Sequence, residues 1–395
     1  MRRAGSILLL ALLGGCSWFG GDKAEVVKPA ELKSISAEVA LDSVWSRRVG
    51  GKANDRASAL VPALSGGRIF AASADGNVMA LEPGGRVIWE VNVRDFYSSE
   101  ERSNAFAKKL DAITGGVGAG GDLVVVATSA GEIVGVNQSD GTLAWRAKTT
   151  SEVLAPPAVD RDLVVAQSID GKVAAFDALD GERRWIYSTS VPALTLRGTA
   201  TPILGGEIVV AGFANGRVIA MDRNRGLAGI DQRIAISQGK SDLERLVDVD
   251  GRMEIAAPVL YAVSYQGTIT ALDLNAGRPR WQKECSSTAG LASGFGNIYV
   301  AQSDGQVVAF DEGDGDEVWV NDALMHRELS TPATISSYLA VGDLEGYIHL
   351  IAQSDGRFVG REKVDGDAIR SRPVVDGARL YLMTTGGELL AFELR

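Results

Sequence analysis

Cysteine, histidine and basic runs are all scarce in this sequence of 395 residues. Two cysteines cannot form a disulfide framework, and two cysteines with two histidines supply too few ligands for the common zinc sites. The formal net charge is −10 and no stretch is strongly basic, which argues against nucleic-acid binding through phosphate contacts. The apolar run Ile7–Leu13 is far shorter than the roughly 20 residues that a membrane-spanning helix needs. These shortages exclude whole classes of function.

Motifs of known enzyme chemistry are also missing or incomplete. Residues Gly116–Gly121 match the G-x-G-x-x-G pattern of dinucleotide-binding loops, but the DLVVVAT that follows predicts a strand instead of the required helix. We interpret this segment as a turn at the start of a repeat. His326 and His349 stand outside any nucleophile or metal-ligand spacing, and the acidic segment 311–316 has glycines where a calcium loop needs oxygen ligands. We assign no catalytic residue, metal site or cofactor, and Cys285 is interpreted as a small buried apolar side chain.

Glycine, in contrast, is abundant, and it marks an internal repeat. A short apolar strand, a tight turn ending in glycine and a second strand recur eight times, as in SADG-NVMAL and QSDG-QVVAF. Glycine suits such turns because it adopts positive φ without a Cβ clash. Most units continue with a second turn and a tryptophan four residues after its glycine. The repeat glycines are Gly76, Gly131, Gly171, Gly216, Gly267, Gly305, Gly346 and Gly387, and the tryptophans in register are Trp45, Trp89, Trp145, Trp185, Trp281 and Trp319.

The repeat predicts an all-β fold, an eight-bladed β-propeller of four-stranded antiparallel blades. The last unit ends at Arg395 without its fourth strand, whereas Val44–Val49 is a tryptophan-bearing fourth strand with no unit before it. We expect these fragments to complete one blade, so that residues 44–395 form a ring closed by pairing the N-terminal strand with the C-terminal blade. Ile230 and Gly360 replace tryptophan in units four and seven, and unit five is compressed, so we expect those blades to be less regular.

The N-terminus has the pattern of an export signal. Two arginines precede the apolar run, and small residues follow it, as in a secretory signal peptide over residues 1–15. The string Leu13–Cys16 resembles the bacterial lipobox, which implies acylation of Cys16 and a lipid anchor. Ser17 after the cysteine implies sorting to the outer membrane. Residues 16–43 show no sustained period, and we expect them to form a flexible tether.

Four connections between predicted blades are long or distinctive, namely 94–113, 190–200, 231–254 and 321–331. All should emerge on one face of the disc, and in repeat proteins the irregular face commonly binds partners. In 190–200, Leu194 and Leu196 stand beside Arg197, a composition typical of a binding hot spot. The alternative is that both leucines fill the junction between blades.

The connection 231–254 contains a pair of aspartates. Asp248 and Asp250 are two residues apart, so their carboxylates point the same way if the segment is extended. The alternative is a solvated acidic turn. Because the two connections join blades 3 to 4 and 4 to 5, we expect them to be neighbours around the ring.

The blade unit resembles the quinoprotein-type repeat, and with the lipobox and the blade number the chain resembles the BamB family, lipoprotein subunits of the outer-membrane β-barrel assembly (BAM) machinery. The most specific stretches are LTLRG (194–198), DLERLVDVD (242–250), LMHR (324–327) and residues 341–365. The resemblance implies a non-catalytic scaffold, lipid-anchored on the periplasmic side of the outer membrane, that assists folding and insertion of outer-membrane proteins.

The same resemblance implies particular partner-binding residues. In that family the L-x-L-R and D-V-D motifs contact the periplasmic POTRA domains of BamA, and by position these roles fall on Leu194, Leu196, Arg197, Asp248 and Asp250. Whether unfolded outer-membrane protein clients also add strands to a blade edge stays open. The alternative functions are a periplasmic quinone-dependent dehydrogenase on the same propeller, and a scaffold for another envelope complex.

Overall fold

The structure is a computed structural model that describes residues 27–52, 60–103, 112–236, 240–364 and 367–395. The signal peptide expected over residues 1–15 and the acylation site Cys16 lie outside these ranges. Within them, the helical elements are one 3₁₀ turn, Val93–Phe96, and one short helix, α1 (Ser99–Ser103). Neither of the two has the length and apolar character of a membrane span.

Strands dominate the described residues and form eight antiparallel sheets of four strands, confirming the predicted β-propeller. Blades 1 to 4 comprise β2 (Ala63–Ser65), β3 (Arg68–Ala72), β4 (Asn77–Leu81), β5 (Val87–Asn92); β6 (Ile113–Gly120), β7 (Leu123–Thr128), β8 (Glu132–Asn137), β9 (Leu143–Lys148); β10 (Ala158–Val159), β11 (Leu163–Ser168), β12 (Lys172–Asp177), β13 (Arg183–Ser188); and β14 (Ile203–Gly205), β15 (Ile208–Gly212), β16 (Arg217–Asp222), β17 (Ala228–Arg233). Blades 5 to 8 comprise β18 (Glu254–Ala256), β19 (Val259–Val263), β20 (Gly267–Asp273), β21 (Arg278–Cys285); β22 (Leu291–Gly294), β23 (Asn297–Ala301), β24 (Val307–Asp311), β25 (Glu317–Asn321); β26 (Ala333–Ile335), β27 (Tyr338–Gly342), β28 (Tyr347–Ala352), β29 (Phe358–Lys363); and β30 (Val374–Asp376), β31 (Arg379–Met383), β32 (Glu388–Leu394), β1 (Leu41–Arg48).

The ring closes as the two incomplete ends of the repeat predicted. Strand β1 pairs antiparallel with β32, with Leu41 opposite Leu394 and Trp45 opposite Ala391. The first and last parts of the chain therefore share blade 8, and its sheet is held by hydrogen bonds between residues more than 300 positions apart. Closure of this kind leaves no open sheet between the first and the last blade.

The core lies between adjacent blades. In β7, all six side chains of LVVVAT are buried, because this second strand of its blade has a neighbouring blade on each side. In the outermost strand β9 only Trp145 is fully buried, since the other face of that strand meets solvent. The continuous apolar runs in the second and third strands thus follow from burial on both faces.

Each tryptophan of the repeat links its own blade to the next one. The indole of Trp281 donates a hydrogen bond to the carbonyl of Glu312, 3.0 Å away, and covers Gly315, where an added Cβ would lie 2.5 Å from the ring. Gly315 also has φ of 74°, so its turn and its contact both favour glycine. The other five pairs of indole and acceptor carbonyl are Trp45 with Pro83, Trp89 with Gln138, Trp145 with Ala178, Trp185 with Arg223 and Trp319 with Gln353.

The expected irregularity of blades 4, 5 and 7 is wrong for their strand pairing and is confirmed only in the turn of blade 5. Each has four paired strands and the same bulge between its third and fourth strand as the other blades. Ile230 occupies the tryptophan position of blade 4, half-buried and 3.8 Å from the Cβ position of Gly277. In blade 5 the repeat turn shifts by one residue, with positive φ at Gln266 instead of Gly267. Pairing of main-chain groups therefore preserves the blade where side chains depart from the repeat.

The Gly116–Gly121 segment is not a turn. Most of it belongs to β6, the first strand of blade 2. A Cβ at Gly118 would lie 2.0 Å from the carbonyl oxygen of Pro157 in blade 3. First strands of neighbouring blades contact one another in this way around the central axis, where space is smallest, so glycine is needed for packing.

Residues 30–40, which were expected to belong to the flexible tether, lie against the disc; we call them the strap. The amide of Ala30 donates to the carbonyl of Met325, and the amide of Val39 to that of Val359, which places the strap along blade 7. The carbonyl of Val39 lies 2.8 Å from the Cβ position of Gly360, so glycine replaces tryptophan where the strap passes. Arg327, 2% exposed, donates to Ala30 and to Asp343 and so connects the strap to the interior of the blade.

The two faces of the disc differ in their loops. Connections between blades hydrogen-bond to the hairpins that join second and third strands, as the amide of Val93 does to the carbonyl of Gly76 and that of Ile234 to Gly216. These two sets of loops therefore share one end of the blades, which we call the loop face, as predicted. The hairpins joining first to second and third to fourth strands form the opposite face.

Candidate docking site on the loop face

The 190–200 loop leaves the outer strand of blade 3 and enters blade 4 without regular secondary structure. Leu194 has 45% of its surface exposed, although a leucine side chain gains about 1.5 to 3 kcal/mol when buried. Leu196, two residues later, is half-buried. The alternative that both leucines fill the blade junction therefore does not hold for Leu194.

The carboxylate of Asp248 contacts this loop and supports it. The main-chain amide of Leu196 donates to a carboxylate oxygen of Asp248, and the Asp248 side chain is 1% exposed. The segment around it is fixed by the amide of Tyr265, which donates to the carbonyl of Asp248 at 2.8 Å, and by the buried side chain of Val249. The predicted proximity of the two connections is confirmed. In the free protein the buried carboxylate of Asp248 is thus engaged in supporting the loop, and the partner contact expected of Asp248 stays a prediction.

Asp250 lies against the same loop two residues further on. One of its carboxylate oxygens is 2.6 Å from the Cβ position of Gly198, so the glycine allows the two connections to approach closely. The two aspartates point to the same side of their segment, as the spacing predicted. Asp250 is half-buried and lines the central cavity of the disc.

Burial dominates the acidity of both aspartates. It raises the pKa of Asp248 to about 6, and the hydrogen bond from Leu196 offsets only part of this rise. Burial also raises the pKa of Asp250 well above its usual value, and the negative charge of Asp248 raises it further. Among the described residues, the second carboxylate oxygen of Asp248 accepts no hydrogen bond. The pair therefore carries an energetic cost at neutral pH.

Arg197 is held in place by an ion pair. Its guanidinium donates to Glu152 across 2.9 Å, and half of the Arg197 side chain is exposed, against 13% of the Glu152 side chain. Glu152 belongs to the connection between blades 2 and 3, which sequence reasoning did not single out because nothing in SEVLAPP marks a partner 45 residues away. The ion pair fixes the orientation of the guanidinium while half of the side chain stays exposed.

The arrangement is suited to binding. An exposed leucine and a half-exposed arginine stand on a loop whose main chain is fixed by Asp248 and whose guanidinium is fixed by Glu152. A fixed loop loses less conformational entropy on association. Cys285 is a small buried side chain, as predicted, since the residue is 5% exposed and burial raises the pKa of its thiol to about 12.

Known proteins match nearly the whole length of the chain. A family model described as outer membrane protein assembly factor BamB matches residues 84–321 and 303–395. An outer membrane protein assembly factor BamB from Pseudomonas aeruginosa is 45% identical over 392 residues, covering 99% of this chain and 98% of the relative. The protein of the same name from Escherichia coli is 33% identical over 382 residues, covering 96% of each chain.

Solved structures agree with the fold. The crystal structure of BamB from Moraxella catarrhalis matches with a TM-score of 0.79 at 30% identity, covering 90% of this chain and 100% of that one. A quinohemoprotein alcohol dehydrogenase from Comamonas testosteroni matches with a TM-score of 0.68 at 13% identity, covering 90% of this chain and 76% of that one. At that identity the second likeness shows the propeller fold alone.

Proposed function

The chain belongs to the BamB family of outer membrane protein assembly factors, and from this premise we propose that it is a non-catalytic subunit that docks onto the POTRA domains of BamA through the 190–200 loop. The observation that carries the proposal is the exposed Leu194 on a loop braced by the buried Asp248. Leu194 and Leu196 supply apolar contact, Arg197 supplies charge-assisted hydrogen bonds, and Asp248 and Asp250 hold the loop in its binding conformation.

We further propose that Cys16 carries the lipid that holds the protein on the periplasmic side of the outer membrane. The strap begins at Ala30, so 13 residues lie between it and Cys16, and the two can be at most about 50 Å apart along an extended chain. The strap contacts blades 6 and 7, whereas the docking loop joins blades 3 and 4. The lipid-bearing segment and the docking loop are therefore attached to the disc about three blades apart. Binding of the partner and anchoring in the membrane then use different parts of the disc.

The docking proposal is tested by the double substitution Leu194→Ala with Arg197→Ala in the full-length protein. Both side chains are about half exposed, so the thermal midpoint should hardly change. If each is a hot spot worth about 2 kcal/mol, each loss weakens binding about 30-fold, and co-purification of BamA from solubilised envelopes should disappear.

The matched control is Leu227→Ala with Arg225→Ala on the opposite face. Leu227 is 58% exposed and the Arg225 side chain 70% exposed, so the same two residue types are truncated at comparable exposure. BamA should co-purify normally with this control. Undiminished BamA recovery with the Leu194 and Arg197 variant would refute the docking role, and loss of folding would show that these residues belong to the core.

A further inference from the structure

The centre of the loop face holds a cavity of about 880 Å³ whose walls differ in character. On the side of blades 1 to 3 the wall is apolar and includes Val61, Pro62 and Pro157. On the side of blades 5, 7 and 8 it is rich in arginine. Among the described residues that line the cavity, there are four arginines, Arg197, Arg252, Arg370 and Arg372, and two acidic residues, Asp250 and Glu328.

Three of these arginines have carboxylate partners inside the chain. Arg197 pairs with Glu152 at 2.9 Å, Arg252 pairs with Glu254 at 2.9 Å, and Arg370 pairs with Glu328. Arg372 differs, because across the described ranges it makes neither a salt bridge nor a hydrogen bond. The carboxylate of Glu254 acts on Arg372 without contacting it. A confined guanidinium that no carboxylate contacts is energetically costly, and proteins commonly compensate such a charge with an anion.

The environment of Arg372 increases that cost. Burial and the like charge of Arg252 lower the pKa of Arg372 to about 10, and the negative charge of Glu254 offsets only part of this fall, so Arg372 stays protonated at neutral pH but is held in an unfavourable site. Asp250 also lines the cavity, but it forms no salt bridge with Arg372. The cavity is therefore complementary to an added carboxylate.

We propose that this cavity receives an acidic segment of the docked protein partner, with one carboxylate of that segment paired to Arg372 and neighbouring apolar side chains against Val61, Pro62 and Pro157. The inference rests on the proposed docking function, because Leu196 and Arg197 line the cavity and also belong to the docking loop. A partner seated on that loop covers the cavity mouth. The apolar wall favours a polypeptide over a small free anion, since a small anion leaves that wall unused.

The test measures binding of a fluorescein-labelled heptapeptide alternating glutamate and leucine to the detergent-solubilised full-length protein, by fluorescence anisotropy and without BamA. Arg372→Gln should raise the dissociation constant roughly 10- to 100-fold, the range expected for one charge-assisted hydrogen-bonded pair. Arg372→Lys should recover part of the affinity, and added salt should weaken binding. Because no described group contacts Arg372 through a salt bridge or hydrogen bond and its confined charge is unfavourable, the thermal midpoint of Arg372→Gln should not fall.

Controls separate the alternatives. Arg225→Gln on the opposite face should leave peptide affinity unchanged, and the peptide with glutamine in place of glutamate should not bind. Equal binding to the wild type and Arg372→Gln, or no binding at all, overturns the inference. Free glutarate and unlabelled peptide are also compared as competitors of the labelled peptide. Displacement by glutarate at the concentration at which unlabelled peptide displaces it would overturn the inference in favour of a small anion. Since BamA is absent from this assay, its result is distinguishable from failure of the docking variant described above.

Discussion

Replacing Asp248 tests whether its carboxylate supports the docking loop or contacts the partner. Asp248→Asn keeps an oxygen that accepts the hydrogen bond from the Leu196 amide and removes the buried charge. Asp248→Ala removes the acceptor and leaves a main-chain donor unpaired, at a cost of about 1 to 3 kcal/mol in loop stability. If Asp248 supports the loop, the Asn variant should retain BamA in co-purification, whereas the Ala variant should lose about tenfold or more in affinity.

The same substitution predicts a change in the pH dependence of stability. Well below pH 3.8 the carboxyl is protonated in the folded and the unfolded chain alike, so wild type and Asp248→Asn should differ little there. Burial raises the folded-state pKa to about 6 from 3.8, so wild-type stability falls as the pH rises between these values and stays low above them. A shift of this size corresponds to about 3 kcal/mol, by which the Asn variant should be the more stable at pH 7.5.

Urea unfolding between pH 4.5 and 8, followed by tryptophan fluorescence, measures this difference. Asp242→Asn is the control, because Asp242 is exposed in the same connection and should follow the wild-type curve. Parallel curves for wild type and Asp248→Asn would refute the claim that Asp248 is buried as a charge. Loss of BamA binding in Asp248→Asn, with the loop intact, would show that the carboxylate itself contacts the partner.

Two further predictions concern the frame that carries the site. Gly315→Ala should destabilise the protein by about 1 to 3 kcal/mol more than Gly67→Ala. Both glycines have similar positive φ, 74° and 69°, but only a Cβ at Gly315 would clash with the Trp281 ring. Equal losses of stability in urea unfolding would contradict the covering role of the indole. Arg327→Met should release the strap, because removing one partner of a buried ion pair costs about 3 to 5 kcal/mol. Tryptic cleavage within residues 30–40 should then accelerate at least tenfold. An unchanged cleavage rate would show that the strap is held without Arg327.

Much of the fold was readable because it is local and repeated. The turn glycines, the short apolar strands and the position of the tryptophans each depend on residues within a few positions, and the pattern of strand, turn and strand occurs eight times. The unpaired ends of the repeat also predicted the closing of β1 on β32, since only a shared blade completes both fragments. The strand pairing of blades 4 and 7 was mispredicted because the prediction relied on the side-chain pattern. Main-chain hydrogen bonds form in these blades although Ile230 and Gly360 replace tryptophan.

The sequence by itself determined the blade number, the ring closure and which connections differ from the repeat, because these follow from periodicity. Only the tertiary structure decided the role of each charge within those connections. Asp248 meets Leu196 across 52 residues of sequence and Arg197 meets Glu152 across 45, so their burial depends on how separate blades bring their loops together. The strap over blade 7 and the unpaired Arg372 arise in the same way, since the environment of a charged side chain is set by neighbours in space that local sequence does not reveal.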